Sequence, residues 1–564
     1  MKKGALSKLG RRGKIFFAGI GMVVLFTFFI QAKSVDSYFE ISKNLDIFAT
    51  LFKQLNAYYV DPIEPGKLVK TGIDAMLDDL DPYTNYITES DIEEFEFQTT
   101  GRYGGIGATM RKKEDNIFIG DIYENGPAQK SGLHPGDQIL EIDNQPLSGK
   151  SIEDISVLLK GSPGTSVSLK IKDAYTGLES KKQLTRGEIN VSPVPYAGLV
   201  GAGKDIAFVK LSQFTQGCTR QVRAALDSLK NVQHNLKGIV LDLRGNPGGL
   251  LDEAVGMCNL FVEKGQLVVS TKGKVAEKNR EYKTLGTAWD AKIPLAVLIS
   301  HGSASASEIV AGTMQDLDRG IIVGERSFGK GLVQETVPLG FNARLKLTIA
   351  RYYTPSGRCI QAIDYTHRNA EGKAGKMADS LKQTFSTLNG RKVMSGGGVE
   401  ADVKIDDNTP SKLSLVLFTK NYLFDYATQY AKTHATISPA GSFSLSDADY
   451  AAFGKWLEGK DFAYQTETEI ALDSLKNIAI REKSFDAIKS EYGLLQTKVA
   501  HDKKQDLIKN KEDIKRLLEN EIVSRYYFFK GRIEQGLQGD KDVAKAALLL
   551  VQPDQYKQLL QAKK

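Results

Sequence analysis

The stretch 301–334 holds the side chains best suited to chemistry. It opens His301-Gly-Ser303-Ala-Ser305-Ala-Ser307-Glu308. One helix length further on it reads Gly324-Glu-Arg-Ser327-Phe-Gly329-Lys330-Gly331-Leu-Val-Gln334. A serine hydroxyl among small residues is a nucleophile that a peptide backbone can approach, and a lysine is a base that could activate it. Lysine serves only when neutral. Its reference pKa is about 10.4, so well under about one part in a thousand is neutral near pH 7, and burial away from carboxylates is what lowers that value. The glycines and the apolar Phe328, Leu332 and Val333 around Lys330 suit such burial. A helix beginning near Ser305 would aim its first amides at a developing oxyanion. Spacing alone does not choose among Ser303, Ser305 and Ser307. It equally allows a plain loop with Lys330 as a surface turn residue.

Two other motifs compete for Lys330. Gly324 to Gly331 matches G-x-x-x-x-G-K, but Gly331 stands where a nucleotide loop needs Ser or Thr for magnesium. The following Leu-Val-Gln-Glu-Thr-Val is strand-like, so no helix N-terminus is offered to a phosphate. Ser327-Phe-Gly-Lys330 is a literal S-x-x-K and Lys70-Thr71-Gly72 a literal K-T-G. They stand in the wrong order for a penicillin-binding site, and the K-T-G falls in a predicted helix. Of the six histidines, His301 lies nearest the serines, at a strand end, and none sits in a triad pattern.

These residues need a scaffold, and the hydrophobic pattern supplies one. Helical periodicity over 47–59 and 66–80 predicts a small N-terminal helical region. From Gly101 the chain turns to short strands, with Ile117–Tyr123, a Pro135-Gly136-Asp137 turn, a Ser151-capped helix to Leu159 and a strand Val167–Ile171. Between about 191 and 360 strands and helices alternate. The strands are Ile206–Leu211, Gly238–Leu243, Leu295–Ser300 and Gly320–Gly324, and the helices Gln216–Leu229, Leu250–Phe261 and Ser305–Gln315. This is an α/β layer with a largely parallel sheet. Beyond 440 the chain is helical.

The 564 residues allow three or four domains, and 41% apolar with 25% charged residues is ordinary for a globular protein. The net charge of +7 does not imply nucleic acid. Six basic residues (Lys2, Lys3, Lys8, Arg11, Arg12, Lys14) precede position 15 with no acid among them, which leaves the rest close to neutral. They flank the uncharged run Ile15–Ile30. A positive flank before an apolar run implies export, as a cleaved signal or, in the favoured reading, an uncleaved anchor. Cys218, Cys258 and Cys359 fit no metal spacing and read as buried small hydrophobes, with one disulfide left open.

The serine and lysine blocks together resemble the signature of the C-terminal processing peptidases, or tail-specific proteases. Four further blocks agree. Leu80-Asp-Pro-Tyr-Thr-Asn-Tyr with Gly104-Gly-Ile-Gly-Ala resembles the approach to the family's PDZ domain, and Pro127 to Asp143 the PDZ middle. Leu241-Asp-Leu-Arg-Gly-Asn-Pro-Gly-Gly249 resembles a glycine-rich loop beside the active site, and Tyr353-Thr-Pro-Ser-Gly-Arg358 the strand end after the lysine. The resemblance implies Ser305 as nucleophile, Lys330 as general base and Gln334 as the residue that orients it. It implies oxyanion amides from Ala306 and from Gly248 or Gly249. Gly104, Gly105, Ile106 and Gly107 become the PDZ loop for a substrate's C-terminal carboxylate. No metal, nucleotide or other cofactor is implied.

The implied architecture is multidomain α/β. Residues 1–35 are a signal peptide or membrane anchor, 36–97 a helical region and 98–188 a β-rich PDZ domain. Residues 189–410 form the peptidase core with an insertion near 362–395, and 411–564 a mostly helical accessory region. The implied function is a serine endopeptidase in the cell envelope or periplasm, acting on polypeptides with free C-termini through an acyl-enzyme. Its membrane contact would be residues 15–30. An activating partner and a homo-oligomer are left open, and the alternative is a non-catalytic PDZ scaffold on a protease fold. Three positions depart from the family pattern. His301 stands where Asn or Asp is common, Lys160 where Arg is, and the closing block reads Gly398-Val-Glu-Ala-Asp402. Lys160 keeps the charge but loses the guanidinium fork, which puts any contact made through it in doubt.

Overall fold

The computed structural model describes residues 38–405, 410–499 and 503–562. The segment 15–30 lies outside the described residues, and among these no helix is long and apolar enough to cross a membrane. Of the described residues, 38–86 form a unit of their own. It carries a helix over 38–58 and the helix Pro65–Asp78, which starts with proline where no amide partner is needed. Lys70-Thr71-Gly72 lies inside the second helix, as its periodicity predicts.

In the second unit, strands Ala108–Lys113, Asn116–Ile122, Gln138–Ile142, Ser166–Lys172 and Glu179–Thr185 pair in that order into an antiparallel sheet. Alternate residues (Ile117, Ile119, Ile139, Ile142, Leu169, Ile171) point inward against Ile155 and Leu159 of the helix Ile152–Leu159. Ser151 and Asp154 cap that helix reciprocally. Arg102–Gly105 pairs separately with Gly187–Asn190.

The α/β core is a six-stranded sheet. Its order is Tyr196–Val200, Ile206–Lys210, Gly238–Asp242, Leu295–Ile299, Ile321–Gly324, Val403–Lys404. The first pair is antiparallel and the other four pairs are parallel. The central strands are apolar along their whole length because both faces are covered. Helices Cys218–Val232, Leu251–Phe261 and Ala306–Asp316 cover one face, where Ala207, Val209, Ile239 and Leu241 meet Val222, Met257 and Val310. The other face (Phe208, Val240, Ala296, Leu298) is covered by Val543, Ala546 and Leu550 of the helix Lys541–Leu550 and by Tyr556. The region 411–564 therefore does not pack as one accessory body: its last two helices complete the core sheet. A separate antiparallel sheet, built from Leu267–Gly273, Arg280–Lys283, Leu332–Pro338 and Arg344–Tyr353, walls the core on one side.

The remaining C-terminal helices form an aromatic cluster around Tyr426, Tyr450 and Phe453. They meet the β-rich module through charge. Glu521 lies 3.0 Å from Arg111, 3.4 Å from Arg525 and 3.5 Å from Arg532, and Arg532 also holds Asp121 at 2.8 Å. The Arg525 side chain is fully buried, its guanidinium over Phe424. Removing Glu521 would strand these guanidinium groups. Glu521→Ala should lower the unfolding free energy by about 3–5 kcal/mol. Urea denaturation checks this, and a loss under about 1 kcal/mol would mean that solvent screens the cluster.

Candidate active site

Three loops leave the carboxyl ends of parallel strands and converge, where open α/β sheets bind their ligands. One runs from Leu243 to Leu250, one from Ser300 to Ser305, and one from Glu325 to Gly331. They bring the expected residues into one cleft. Pro247, Gly248, Gly249, Ser305, Ala306, Lys330, Gln334 and Tyr352 line it, with Phe95, Leu250, Ile309 and Leu332 as apolar walls.

The geometry separates the three serines. Ser303 and Ser307 are fully buried, and their hydroxyls donate inward to the carbonyls of Leu243 (2.8 Å) and Asn246 (2.9 Å). Ser305 is half-buried and faces the cleft. It sits at the N-cap of the helix Ala306–Asp316 with φ +55° and ψ −114°. An L-residue reaches that region at about 1–3 kcal/mol, so surrounding contacts must hold it there. Ala306, the first residue of that helix, lines the same cleft.

Two side chains hold it. Glu308 is fully buried, and its carboxylate accepts four hydrogen bonds. Two come from the Ser305 and Lys330 amides, each at 2.9 Å, one from the Gly329 amide (2.7 Å) and one from the Ser327 hydroxyl (2.6 Å). The Tyr352 hydroxyl lies 2.6 Å from the Lys330 carbonyl and 3.1 Å from the Ser305 carbonyl. One residue thus takes the amides of both segments and the other reaches both carbonyls, so the Ser305 and Lys330 backbones are tied at both poles. Neither Glu308 nor Tyr352 is singled out by spacing. A carboxylate three residues into a predicted helix was the available signal, since a capping box puts Glu there.

The Gly248 amide donates to Asn246 Oδ1 at 2.8 Å. Of the glycine pair, Gly249 is therefore the one whose amide the loop leaves available. Gly248 has a different role: a Cβ there would lie 2.7 Å from the Ala304 carbonyl and 2.9 Å from the Ala306 amide, so only glycine lets the two loops touch. The Gln334 amide donates to the Thr348 hydroxyl across the strand pair at 3.2 Å. His301 is exposed, 3.8 Å from Glu325, and outside the cleft lining. All three cysteines are free.

In the β-rich module, Gly104 and Gly105 lie in the strand paired with 187–190, Ile106 is buried, and Gly107 has φ +75°. This loop leads into Ala108–Lys113, an edge strand beside the helix Ile152–Leu159. Lys160 pairs with Glu94 at 2.6 Å. Among the described residues, one cluster could hold a cation: His134, Asp137 and Asp173 lie together in this module, not in the cleft. Their carboxylates already accept backbone amides of His134, Ala174, Tyr175 and Thr176.

Comparison with known proteins identifies the family of the chain. The family model for Peptidase family S41 matches residues 205–367, a PDZ domain model 118–173, and a probable PDZ-protease C-terminal helical domain 413–550. The chain belongs to the carboxy-terminal-processing proteases of that family and is a serine peptidase with a PDZ domain. It is 36% identical to the carboxy-terminal-processing protease of Bartonella bacilliformis over 63% of this chain and 81% of that one. It is 30% identical to a probable CtpA-like serine protease of Staphylococcus haemolyticus over 77% and 79%. Among solved structures, a photosystem II D1 C-terminal processing protease aligns over 64% of this chain and 88% of that one, with 26% identity and a TM-score of 0.35.

Burial pushes the Glu308 carboxyl up to about 7, against the pull of its hydrogen bonds. Its folded value lies above the ordinary 4.5, so the folded protein holds this proton more readily than the unfolded chain does. The stability gained on protonation is present at low pH and is lost as pH rises through about 7. Protonation also removes an acceptor from the tie between Ser305 and Lys330. Activity and stability should therefore diverge: kcat falls below about pH 7, while Tm does not fall between about pH 8 and 6. Glu308→Gln turns an –NH2 toward backbone donors and should lower kcat by about 10²-fold at all pH values. Parallel pH–rate and thermal-melt series test both, and a kcat that rises on acidification would refute the tie.

Proposed function

We propose that Ser305 and Lys330 carry out peptide-bond hydrolysis near the C-termini of polypeptides outside the cytoplasm. The observation that carries this reading is the cross-tied cleft, in which Ser305 alone of the three serines faces the cavity that Lys330 also lines. Neutral Lys330 takes the proton from Ser305 Oγ as that oxygen bonds to the peptide carbonyl carbon. The carbonyl electrons move onto oxygen, and the amides of Ala306 and Gly249 stabilise that charge. The C–N bond then breaks, the proton passes from Lys330 to the leaving amine, and an acyl-enzyme remains. Water, deprotonated by Lys330, attacks the ester carbon, the bond from that carbon to Ser305 Oγ breaks, and Lys330 returns the proton to Ser305 Oγ. Gln334 sits on the wall that bounds Lys330 and keeps the lysine's approach polar.

The PDZ domain presents the tail to this site. A peptide can add as a strand to the free edge of Ala108–Lys113, with its terminal carboxylate at the Gly104–Gly107 loop. The basic start and the apolar run 15–30 support export with retention at the membrane.

Casein and tailed-peptide cleavage by the purified chain tests the reading. Ser305→Ala and Lys330→Ala should each lower kcat by about 10⁴-fold or more. Amidating the peptide's C-terminus should raise KM with kcat nearly unchanged. Cleavage that survives either substitution would assign the chemistry elsewhere.

A further inference from the structure

The cleft holds a second cation that the dyad does not use. Lys346 lies on the strand Arg344–Tyr353, opposite Thr336, and Thr348 two residues on lies opposite Gln334. Side chains two apart on a strand point the same way, so Lys346 shares a face with Thr348, about 7 Å further along the ladder. It lines the same cavity of 610 Å³ as Ser305 and Lys330.

No protein group neutralises it. Among the described residues Lys346 makes no ion pair and no side-chain hydrogen bond. The nearby acids are engaged elsewhere: Glu335 with Lys278 (2.5 Å), Glu96 with Arg344 (3.8 Å), and Glu308 beneath the floor with the four donors above. The residues lining the cavity include two lysines and no carboxylate. Lys346 is half-buried, and burial alone pushes its pKa below the ordinary lysine value. A partly desolvated ammonium without a counterion costs stability, and a site that keeps one is built to pair it with something absent from the free protein.

We propose that Lys346 is a specificity-determining residue that pairs with a carboxylate of the bound polypeptide in the catalytic cleft. This rests on the peptidase reading of the cleft. The carboxylate has two possible sources, an acidic side chain close to the scissile bond or the polypeptide's own C-terminus, and both present the same charge-assisted acceptor. The apolar walls Leu250, Ile309 and Leu332 take the neighbouring side chain, so the cleft selects an apolar residue with an anion within reach. A substrate with an amide at that place leaves the ammonium unpaired and is rejected.

The test uses the full chain and a peptide series in which one Glu is moved along the sequence, each paired with its Gln counterpart. Every peptide is made with a free and with an amidated C-terminus. Wild type should favour Glu over Gln at one position, or free over amidated ends, by about ten- to a hundredfold in kcat/KM. Lys346→Met should bring the Glu/Gln ratio close to one and lower the free/amidated ratio to the part the PDZ domain supplies, Lys346→Glu should invert the Glu/Gln ratio, and Lys346→Arg should restore the wild-type values. The PDZ domain is unchanged in every variant, so its own preference for free ends cancels in the comparison. The Glu/Gln arm and the free/amide arm identify the source. Ratios that are the same in Lys346→Met as in wild type, in both arms, overturn the proposal. If wild type cleaves no peptide and no casein, the peptidase reading has failed. Anisotropy binding of the same labelled pairs to Ser305→Ala, with and without Lys346→Met, then still decides whether Lys346 reads a carboxylate.

Discussion

The site depends on one buried carboxylate. Taking a glutamate out of water is expensive, and Glu308 is fully buried with no cation beside it among its hydrogen-bond partners. Four donors offset that cost, three of them backbone amides that cannot retreat without unfolding their loops. The exchange has a geometric result. Ser305 and Lys330 come from loops after different strands, and a hydroxyl–amine pair separated by an ångström too much loses most of its proton-transfer advantage. The Glu308 carboxylate fixes both amides, and Tyr352 reaches both carbonyls from the second sheet. Together they set the relative position of the two segments and hold Ser305 in a conformation it would otherwise leave.

The core sheet makes this tie possible, and the sheet is not complete until the end of the chain. Parallel strands need both faces covered. Three helices from the α/β segment cover one face, and residues beyond 540 cover the other. Arg244 strengthens the closure. It follows the strand that leads into the Gly248–Gly249 loop, and it pairs with Asp242, Asp540 and Asp542. The C-terminal helix therefore contacts the root of the same loop that packs against Ser305.

Much of this was legible in the sequence, for identifiable reasons. The central strands are runs of β-branched and aliphatic residues bounded by glycine, and the structure places Gly238–Asp242 and Leu295–Ile299 where those runs lie. Ser151 announces its helix by a capping pattern, and the structure shows both halves of the box. What stayed hidden was non-local. Glu308 looks like any acid in a helix's first turn, because the donors that give it meaning lie some twenty residues away. The choice among three serines is a choice of which hydroxyls find buried carbonyls, and Leu243 and Asn246 supply these from another strand's loop. Lys346 carries no motif at all. The packing of Lys541–Leu550 on the sheet was invisible because an amphipathic helix does not state its partner.

The PDZ domain and the cleft meet through one short helix, Ile92–Thr100. Its Glu94 holds Lys160 of the PDZ domain, while Phe95, Gln98 and Thr99 line the cleft. The Gln98 and Thr99 carbonyls accept from Gln213 and Gln216 of the core. No residue of this helix is fully buried, and Phe97 packs edge-on against Tyr103 with ring centroids 5.2 Å apart. Polar contacts add to this at each side, and on the PDZ side the partner of Glu94 is a lysine. An ammonium can pair with Glu94 but cannot brace it with two parallel hydrogen bonds. On the other side two ion pairs join the PDZ domain to the C-terminal helix Lys511–Gly536: Arg111 with Glu521 at 3.0 Å and Asp121 with Arg532 at 2.8 Å. The same short helix thus gives Glu94 to the PDZ domain and Phe95, Gln98 and Thr99 to the wall of the cleft, so the two sites share one element of the chain.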